Sequence, residues 1–533
     1  MGYTFSIDFG TTNTVIARWD DANNAAEVLT VPGLSTQLVT GLPELIPSLV
    51  YVNDGAKEEI VAGQRVRDDH LDHERDNRLF RNFKRGIVSF PAPAPREIDG
   101  VEWADRQAGR SFIRHLISTL PYGEADIDQL VLTAPVASFE GYLSWLNGVI
   151  DEISTDKIRI VDESTAAALG YTITKPGAVV LVFDFGGGTL DLSLVQLPES
   201  REKTGGILSR LLRGGSTQHA AKVVAKAGRI IGGSDIDQWL LADILERTGL
   251  QSKDLGNDYA SVLTQCEQAK ILLSIEESAS ITFEAGGKSH EVTITRDELE
   301  TLLENNGFYA ALRRVVDKVM HVAHRRGIFK EDIHYVLMVG GTSLMPSVQR
   351  TLRQYFTEQA IYSDKPFTSV AEGALQVAAG YGLDDYLIHS YGIRYLESET
   401  NSHAYDEFIP MGTQYPTSEP IEIILGAAHE NQQEVEFVIG EIDSDSVAMI
   451  EVQYENGQAV FVADANTAGQ QIIPLNEATV LKMLAKLDPN GTPGEDRLKA
   501  AFTIDDRRQL RMTVTDLATK KTLLNDVVVT TLR

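Results

Sequence analysis

Two segments of the chain resemble each other closely, and this repetition limits the folds that the chain can adopt. Tyr3–Trp19 and Val179–Leu197 each contain an apolar stretch typical of a β-strand, then Asp-Phe-Gly, a turn of Gly and Thr, and a second strand. The acids that close the two first strands, Asp8 and Asp184, are separated by about the length of one α/β lobe. We therefore predict an internal duplication that folds into two lobes.

Further joints between strands and helices surround these hairpins. Asp128–Val136 and His334–Pro346 predict apolar strands, and helical patterns follow them at Ser138–Ile153 and Pro346–Phe356. Strands that alternate with helices indicate an α/β architecture with mostly parallel pairing. The length of 533 residues also requires more than one domain, because a single hydrophobic core stops growing near about 250–300 residues.

The pattern changes after Gly382, where helical periodicity gives way to short strand candidates separated by turn residues such as Asn456-Gly457. Strands at this spacing predict an all-β sandwich, with one helical pattern as an exception at Asn476–Leu487. We expect an α/β domain over residues 1–383, a connector over 384–392 and a β-sandwich domain over 393–533.

The chain is acidic, with 48 Lys and Arg against 76 Asp and Glu and a formal net charge of −28. This charge argues against a nucleic-acid binder, because phosphate backbones attract positive charge. Tyr395 to Leu481 contains 16 acidic residues and no Lys or Arg, so the sandwich is expected to prefer basic or basic-apolar segments. Arg201–Arg229 is basic, and it is interpreted as a surface loop or a surface hairpin with extra length. The alternative is a contact for an acidic partner, a membrane surface or the acidic sandwich.

The number of cysteines and the length of the apolar segments indicate the cellular compartment. The single cysteine, Cys266, excludes a disulfide framework and favours a reducing compartment, where it would be a buried structural thiol. The first residues lack a basic start followed by an apolar run, so no targeting segment is expected. Ala178–Phe183 is far shorter than the ~20 residues that a membrane helix needs. A cytoplasmic protein without a transmembrane segment is predicted.

The glycine turns have the chemistry of a phosphate-binding site. Glycine lets a backbone approach an anion closely, and exposed N–H groups and Thr hydroxyls donate hydrogen bonds to it. A carboxylate cannot bind phosphate directly, so Asp8 and Asp184 imply a Mg²⁺ ion that keeps some of its water. One such turn alone is usually structural, but two copies after apolar strands predict a nucleotide clamp. A third turn, Gly340-Gly341-Thr342, is either a tight turn or a wall of the nucleoside pocket.

The motifs DFGTT, DFGGGTLD, VDESTAAALGY and VGGTSLMP resemble the actin-like ATPase superfamily and, within it, the heat-shock protein 70 chaperone family. The resemblance runs from Tyr3 to Gly382 and continues less clearly into the family's β-sandwich peptide-binding domain. It implies a two-lobed actin-like ATPase domain with a duplicated ribonuclease H-like fold, followed by the sandwich. The family continues with a helical lid, which this chain is expected to lack because it stops at Arg533.

The resemblance also implies roles for matching residues. Lys84 would offset charge at the γ-phosphate, Glu163 would orient the attacking water, and Asp184 and Thr189 would complete the catalytic set. Taken alone, Lys84 is one more surface base and Glu163 a helix cap. Asp8 and Asp184 would hold Mg²⁺ through water. ATP or ADP would be bound by Gly10, Thr11, Thr12, Asn13, Gly186, Gly187, Gly188, Gly232, Gly233, Glu267, Lys270, Ser274, Gly340, Gly341 and Thr342.

The chain departs from the family pattern at several of these places. Ile271 and Leu344 stand where the family has arginines that flank adenine, and Phe367 replaces an acid, so adenine selectivity is left open. Leu143 replaces an arginine important in interlobe signalling, and the connector offers only Tyr386-Leu387-Ile388 in place of a leucine-rich run. Altered coupling between the domains is therefore expected.

The resemblance predicts a slow ATPase that acts as a chaperone in protein folding and the stress response. Its nucleotide state would control the binding of unfolded or specific client polypeptides by the β-domain, with J-domain and nucleotide-exchange co-chaperones as partners. The alternative is a nucleotide-dependent scaffold switch with little turnover. A small-molecule kinase of the same superfamily is disfavoured, because such kinases close both lobes on a substrate and do not append a sandwich.

Overall fold

The computed structural model of the chain divides into two compact units, Met1–Leu383 and Asp384–Arg533. In the parts that it covers, every helix is too short or too polar to span a bilayer. The structure describes residues 3–38, 41–74, 76–89, 91–120, 127–135, 140–153, 158–171, 173, 175, 177–197, 222–379, 385–387, 390–397, 402–410, 413–443, 450–455, 458–463, 471–476, 483–505 and 507–532.

Strands and helices alternate through most of the first unit. The strands are β1 (Tyr3–Phe9), β2 (Asn13–Asp20), β3 (Ala25–Val28), β4 (Ile46–Pro47), β5 (Leu49–Asp54), β6 (Glu59–Ala62), β7 (Leu79–Arg81), β8 (Arg96–Ile98), β9 (Val101–Trp103), β10 (Ile127–Ala134), β11 (Ile158–Asp162), β12 (Val179–Phe185), β13 (Leu190–Gln196), β14 (Lys222–Arg229), β15 (Ser278–Ala285), β16 (Lys288–Thr295), β17 (Ile333–Val339) and β18 (Ile361–Tyr362). The helices are α1 (Arg65–Asp68), α2 (Phe83–Val88), α3 (Asp105–Ser118), α4 (Glu140–Ile150), α5 (Glu163–Gly170), α6 (Gly233–Thr248), α7 (Ser252–Leu255), α8 (Tyr259–Leu273), α9 (Arg296–Asn305), α10 (Phe308–Arg325), α11 (Pro346–Leu352) and α12 (Ser369–Ala378).

Two sheets of the first unit match strand for strand. One has the order β11-β10-β1-β2-β3 and the other β18-β17-β12-β13-β14. The central strands β1 and β12 each pair in parallel with one neighbour and antiparallel with the strand that follows the Asp-Phe-Gly turn. The predicted duplication is therefore confirmed, and Asp8 and Asp184 occupy equivalent places. The pairing is mixed and not mostly parallel, because a hairpin follows each central strand.

Two helices of small residues, α5 and α12, pack against each other between these sheets. Helix α5 follows β11 of one sheet and contacts β12 and β13 of the other, whereas α12 follows β18 and contacts β1 and β2. A Cβ atom on Gly373 would lie 1.7 Å from the carbonyl oxygen of Ala166, and one on Gly170 would lie 1.8 Å from that of Ser369. The two glycines therefore allow the helix backbones to touch.

The second unit is built of strands that form two four-stranded sheets, ordered β21-β20-β25-β28 and β23-β30-β31-β32. Its core joins Tyr391 and Ile439 of the first sheet to Phe502 and Leu510 of the second, so the predicted sandwich is present. The strands are β19 (Asp385–Tyr386), β20 (Ser390–Glu397), β21 (Ser402–Ile409), β22 (Gln414–Tyr415), β23 (Ile421–Gly426), β24 (Gln432–Glu436), β25 (Ile439–Asp443), β26 (Ile450–Glu455), β27 (Gln458–Ala463), β28 (Gln471–Pro474), β29 (Leu484–Gly491), β30 (Asp496–Ile504), β31 (Gln509–Asp516) and β32 (Thr522–Thr531).

One further sequence prediction differs from the structure, and one agrees with it in the described residues. The helix predicted over Asn476–Leu487 is wrong at its end, where β29 pairs with β24 and buries Ala485 and Leu487 in alternation with exposed Lys486. Residues 477–482 lie outside the described residues. The basic segment, interpreted as a surface loop or a surface hairpin with extra length, contains β14, which pairs antiparallel with β13 as the outer strand of its sheet and so agrees with the hairpin. Residues 198–221 lie outside the described residues.

Candidate functional site

The turns that follow the two Asp-Phe-Gly motifs face each other. A Cβ atom on Gly187 would lie 2.3 Å from Cγ2 of Thr12, and one on Gly188 would lie 2.6 Å from Oγ1 of Thr11. Real Cβ contacts are essentially never this short, so only glycine lets the two turns come this close. The threonine turn of one sheet and the glycine turn of the other therefore form one surface rich in N–H and hydroxyl groups.

Two further loops are hydrogen-bonded to the glycine turn. The carbonyl oxygen of Gly186 accepts from the Gly233 N–H over 3.1 Å and from Oγ1 of Thr342 over 2.8 Å. The carbonyl oxygen of Gly187 accepts from the Ser234 N–H over 2.9 Å. These bonds bring the start of α6 and the loop after β17 to the same place as the two hairpin turns.

Two other predicted glycines, Gly340 and Gly232, have positions that only a small residue fits. Gly340 has a φ of +79°, and a Cβ atom there would lie 2.5 Å from the carbonyl oxygen of Phe185. A Cβ atom on Gly232 would lie 2.5 Å from the backbone of Gly187. The carbonyl oxygen of Gly10 accepts from Oγ of Ser48 over 2.8 Å.

A cavity of about 200 Å³ opens beside these loops. It brings together many of the residues that the sequence assigns to nucleotide binding, and it is also lined by apolar side chains. The predicted residues in its lining are Thr12, Asn13, Gly187, Gly233, Glu267, Lys270, Ser274, Gly341 and Thr342. The apolar side chains are Leu38, Leu42, Ile271, Ile275, Leu344, Met345 and Phe367.

Lys84 and Glu163 form a buried ion pair in the first unit. The Lys84 ammonium donates to Oε1 of Glu163 over 3.1 Å and also to the carbonyl oxygen of Phe9. The cap of α5 is Asp162, whose Oδ1 accepts from the Thr165 N–H over 2.9 Å. The alternatives of Lys84 as a surface base and Glu163 as a helix cap are therefore both wrong.

For Lys84 and Glu163, burial and the charge of the partner shift the pKa in opposite directions. Burial lowers the pKa of Lys84, but the facing groups Glu163, Tyr142 and Asp8 outweigh it, and the pKa rises above its ordinary value. Lys84 therefore stays charged. Burial raises the pKa of Glu163 to about 7, although Lys84 opposes the shift.

The two Asp-Phe-Gly carboxyl groups also have raised pKa values. Burial is the main cause for Asp184, and the negative charges of Glu163, Asp191 and Asp8 add to it. Burial likewise raises the pKa of Asp8, although Lys84 and a 2.8 Å hydrogen bond from Oγ1 of Thr133 oppose it. These carboxylates gather more negative charge than Lys84 offsets, so a cation is favoured beside them.

Mg²⁺ fits this donor set. Asp8 and Asp184 supply carboxylate oxygens, which hard divalent cations prefer. Among the described residues no group of three or more His, Cys, Asp or Glu could hold a metal ion. Two carboxylates alone suit an ion that keeps water and binds phosphate oxygens, as Mg²⁺ commonly does.

Glu267 and Lys270 of α8 are tied to neighbouring elements. Glu267 accepts from Arg67 of α1 over 2.8 Å and lies 3.9 Å from Arg81 of β7. Burial raises the Glu267 pKa, but Arg67, Lys270 and Arg81 outweigh it, and the net shift is downward. Lys270 pairs with Asp237 of α6 over 2.7 Å. The ion pair of Glu267 with Arg67 was not predicted, because nothing in the sequence around Glu267 indicates a partner so distant.

Thr189 and Tyr142 are two further polar residues of the first unit. Thr189 is not among the residues that line the cavity, and its hydroxyl is hydrogen-bonded to Asp191. Tyr142 of α4 is 1% exposed, and within the part of the chain that the structure describes its hydroxyl has no hydrogen-bond partner. Its ring centroid lies 5.6 Å from Nζ of Lys84. Tyr142 was not predicted, and only its position in an apolar helix pattern could have drawn attention to it.

Comparisons with known proteins agree with this geometry. The family described as Hsp70 protein matches residues 154–449, which is more than half of the chain. The chain is 26% identical over 484 residues to the chaperone protein dnaK of Phaeodactylum tricornutum, covering 84% of this chain and 72% of that protein. It is 26% identical over 456 residues to the chaperone protein DnaK of Thermotoga petrophila and 25% identical over 454 residues to that of Thermosipho melanesiensis, each covering 81% of this chain and 69% of the relative.

Proposed function

The chain belongs to the Hsp70 protein family of ATP-dependent chaperones, and we propose from this premise that it hydrolyses ATP to control polypeptide binding. The catalytic unit would be residues 1–383, the connector 384–392 and the polypeptide-binding domain 393–533. The observation that carries the proposal is the Lys84–Glu163 pair, 3.1 Å apart, set among the carboxylates of Asp8 and Asp184.

The residues of the first unit divide the chemistry among them. The turns at Thr11-Thr12 and Gly186–Gly188 would bind the phosphates through N–H and hydroxyl groups. Mg²⁺, held through water by Asp8 and Asp184, would supply charge neutralisation at the phosphates. Lys84 keeps its charge and would offset negative charge that develops during transfer.

Glu163 would act on the attacking water. Burial raises the pKa of Glu163, and the hydrogen bond from Lys84 over 3.1 Å fixes the orientation of its carboxylate. Glu163 would accept a hydrogen bond from the attacking water and align it with the phosphate. Thr189, which was predicted to be catalytic, would act through Asp191, to which it is hydrogen-bonded.

Steady-state phosphate release tests hydrolysis. Purified full chain should hydrolyse ATP slowly and only with Mg²⁺, and Lys84→Ala or Asp184→Ala should lower turnover by at least about 100-fold. Lys57→Ala is the control, because Lys57 pairs with Asp54 at the surface. If all of these proteins bind ATP with the same near-zero turnover, the alternative of a scaffold switch is favoured.

Client binding is the second part of the proposal. The acidic residues between Tyr395 and Leu481, with no Lys or Arg among them, favour basic-apolar peptides over acidic ones. Fluorescence anisotropy with a labelled basic-apolar peptide should show faster dissociation in ATP than in ADP. An acidic peptide of the same length is the control. Equal dissociation rates of the peptide in ATP and in ADP would contradict control by the nucleotide state. J-domain partners and a cytoplasmic location are further parts of the proposal.

A further inference from the structure

The cavity beside the glycine loops has two kinds of lining. Its polar groups come from the turn after β1, the start of α6, the loop after β17 and the end of α8, which contributes Glu267, Lys270 and Ser274. Its apolar groups come from the end of α8, with Ile271 and Ile275, and from the segments that hold Leu344, Met345 and Phe367. If a nucleotide binds with its phosphates at the glycine turns, its base would therefore contact the apolar side chains.

The ionisable side chains that line the cavity already have partners within the protein. Glu267 is hydrogen-bonded to Arg67. Lys270 pairs with Asp237 and donates to the carbonyl oxygen of Gly233 over 3.0 Å. Breaking either buried ion pair to reach a base would leave a charge uncompensated, which is costly.

The neutral polar side chains of the lining are also engaged. Oγ1 of Thr342 donates to the carbonyl oxygen of Gly186, and Oγ of Ser274 donates to the carbonyl oxygen of Lys270 over 3.3 Å. Asn13 donates from Nδ2 to Oγ1 of Thr12 over 3.3 Å. These bonds use the hydroxyl hydrogens of Thr342 and Ser274, and among the described residues most of the remaining side chains that line the cavity are apolar.

The Phe367 ring is held in place by its packing contacts. Its ring packs against the buried cluster that includes Val15, Leu45 and Leu375. A Cβ atom on Gly341 would lie 3.1 Å from the Phe367 ring, so the ring rests on the glycine loop itself. A ring held in this way can contact a planar base but offers no hydrogen bond to its edge.

We propose that this cavity recognises purine nucleotides by shape and apolar contact and does not read the hydrogen-bonding edge of the base. The inference rests on the proposed nucleotide-binding function and specifies its substrate class. A site that hydrogen-bonds a substrate group can reject an analogue without it by 10⁴–10⁵-fold, whereas an apolar pocket discriminates by roughly 10–200-fold. ADP, GDP and IDP differ only along that edge, so their affinities should fall within about tenfold of one another.

Competition binding tests this proposal on the full chain with Mg²⁺. A fluorescent ADP labelled on its ribose is displaced by ADP, GDP, IDP or CDP, and each dissociation constant is measured. GDP and IDP within about tenfold of ADP, with CDP weaker than all three purine nucleotides, supports the proposal. ADP tighter than GDP by more than tenfold overturns it and leaves nucleotide binding intact. If no nucleotide displaces the probe, the proposed function fails and this inference with it.

Variants of the apolar side chains that line the cavity distinguish a lost contact with the base from a loss of folding. Phe367→Ala should weaken ADP and GDP together by about tenfold and leave their ratio unchanged. Ile275→Ser, at a side chain that is 57% exposed, tests the same surface at low risk to folding and should also weaken both. Phe329→Ala, at a ring 49% exposed and outside the cavity lining, is the control. A loss of ADP affinity alone in either cavity variant overturns the proposal.

Discussion

The ammonium group of Lys84 lies 3.1 Å from Oε1 of Glu163, and each side chain is almost nine-tenths buried. Lys84 comes from α2 and Glu163 from the first residue of α5, so the pair joins two elements that are distant in the sequence. Removing either partner would leave an uncompensated charge in a cluster that already holds Asp8 and Asp184. The pair is therefore both a structural link and the centre of the proposed chemistry.

Tyr142→Phe tests whether the unpartnered hydroxyl beside Lys84 takes part in turnover. The variant keeps the buried ring and removes one hydroxyl, so kcat should fall by about tenfold while KM stays within twofold. Steady-state kinetics at several ATP concentrations measure both. Tyr309→Phe removes another buried tyrosine hydroxyl on α10 and is the matched control. Equal kcat in Tyr142→Phe and the native protein would show that the hydroxyl has no part in turnover.

Glu267→Gln tests whether the ion pair with Arg67 retains bound nucleotide. The pair joins α8 to α1 beside the cavity, and loss of one partner should speed release of fluorescent ADP by about tenfold. Stopped-flow displacement measures the rate. Arg67→Met should give a similar increase, and the double variant should show no further one, because both changes break the same contact. Arg247→Met, which breaks surface pairs with Asp243 and Glu298, is the control. Additive effects of the two changes would contradict a shared contact.

Gly373→Ala tests the close packing of α5 and α12. The added Cβ atom would lie 1.7 Å from the carbonyl oxygen of Ala166, so the helices must separate, and stability should fall by at least about 1–3 kcal/mol. Urea unfolding followed by Trp fluorescence reports on the first unit, where all four Trp residues lie. Gly148→Ala, in α4 with nothing within 4 Å of the new Cβ atom, should raise stability by about 0.5–1 kcal/mol. A neutral Gly373→Ala would show that the helices have room to move apart.

The buried pair of Arg497 and Asp516 predicts how the second unit responds to pH. The two Nε and Nη2 contacts to the carboxylate are each 3.0 Å. Burial raises the Asp516 pKa, but hydrogen bonds from Arg497 and Thr519 outweigh it, and the folded pKa lies below its ordinary value of 3.8. A carboxyl group with a depressed pKa stabilises the fold above its unfolded value, and that stabilisation is lost as pH falls through the folded pKa.

Asp516→Asn should therefore destabilise the second unit at neutral pH by about 3–5 kcal/mol, because Arg497 stays buried without its partner. The difference from the native protein should begin to shrink as pH falls below 3.8, where the carboxyl group of the unfolded chain takes up a proton, and it should disappear as pH falls through the lower folded pKa. Hydrogen exchange of β30 to β32 in the full chain measures this change. Asp526→Asn, at an exposed pair with Arg511 in the same sheet, should change protection little. A difference that is constant from pH 7 to pH 3 would contradict the assignment.

The sequence predicts the glycine loops well because their chemistry is local. Asp8 and Asp184 precede turns whose Gly and Thr spacing already implies a close backbone approach, and the duplicated sheets follow from the same motif. Contacts between distant residues are not encoded in this way. Nothing near Glu267 points to Arg67, and Tyr142 lies in an ordinary apolar helix pattern.

The errors also have physical causes. Leu484–Gly491 has apolar residues at spacings that suit a helix as well as a strand, and pairing with β24 decides in favour of the strand. The basic residues around Lys222–Arg229 suit a loop as well as a hairpin, and pairing with β13 decides in favour of the hairpin strand β14. Glu163 precedes a helix in the way that a cap does, but Asp162 holds that place.

Single-turnover hydrolysis tests most directly whether the first unit is a catalyst. The full chain is mixed in excess with labelled ATP and Mg²⁺, and the bound nucleotide is separated over time. We predict that the native protein converts its bound ATP to ADP, while Glu163→Gln keeps it as ATP with its affinity for nucleotide within about threefold. Glu152→Gln, at a surface pair with Arg110, should behave as the native protein does. Recovery of the bound nucleotide as ATP from the native protein would contradict the proposed ATPase.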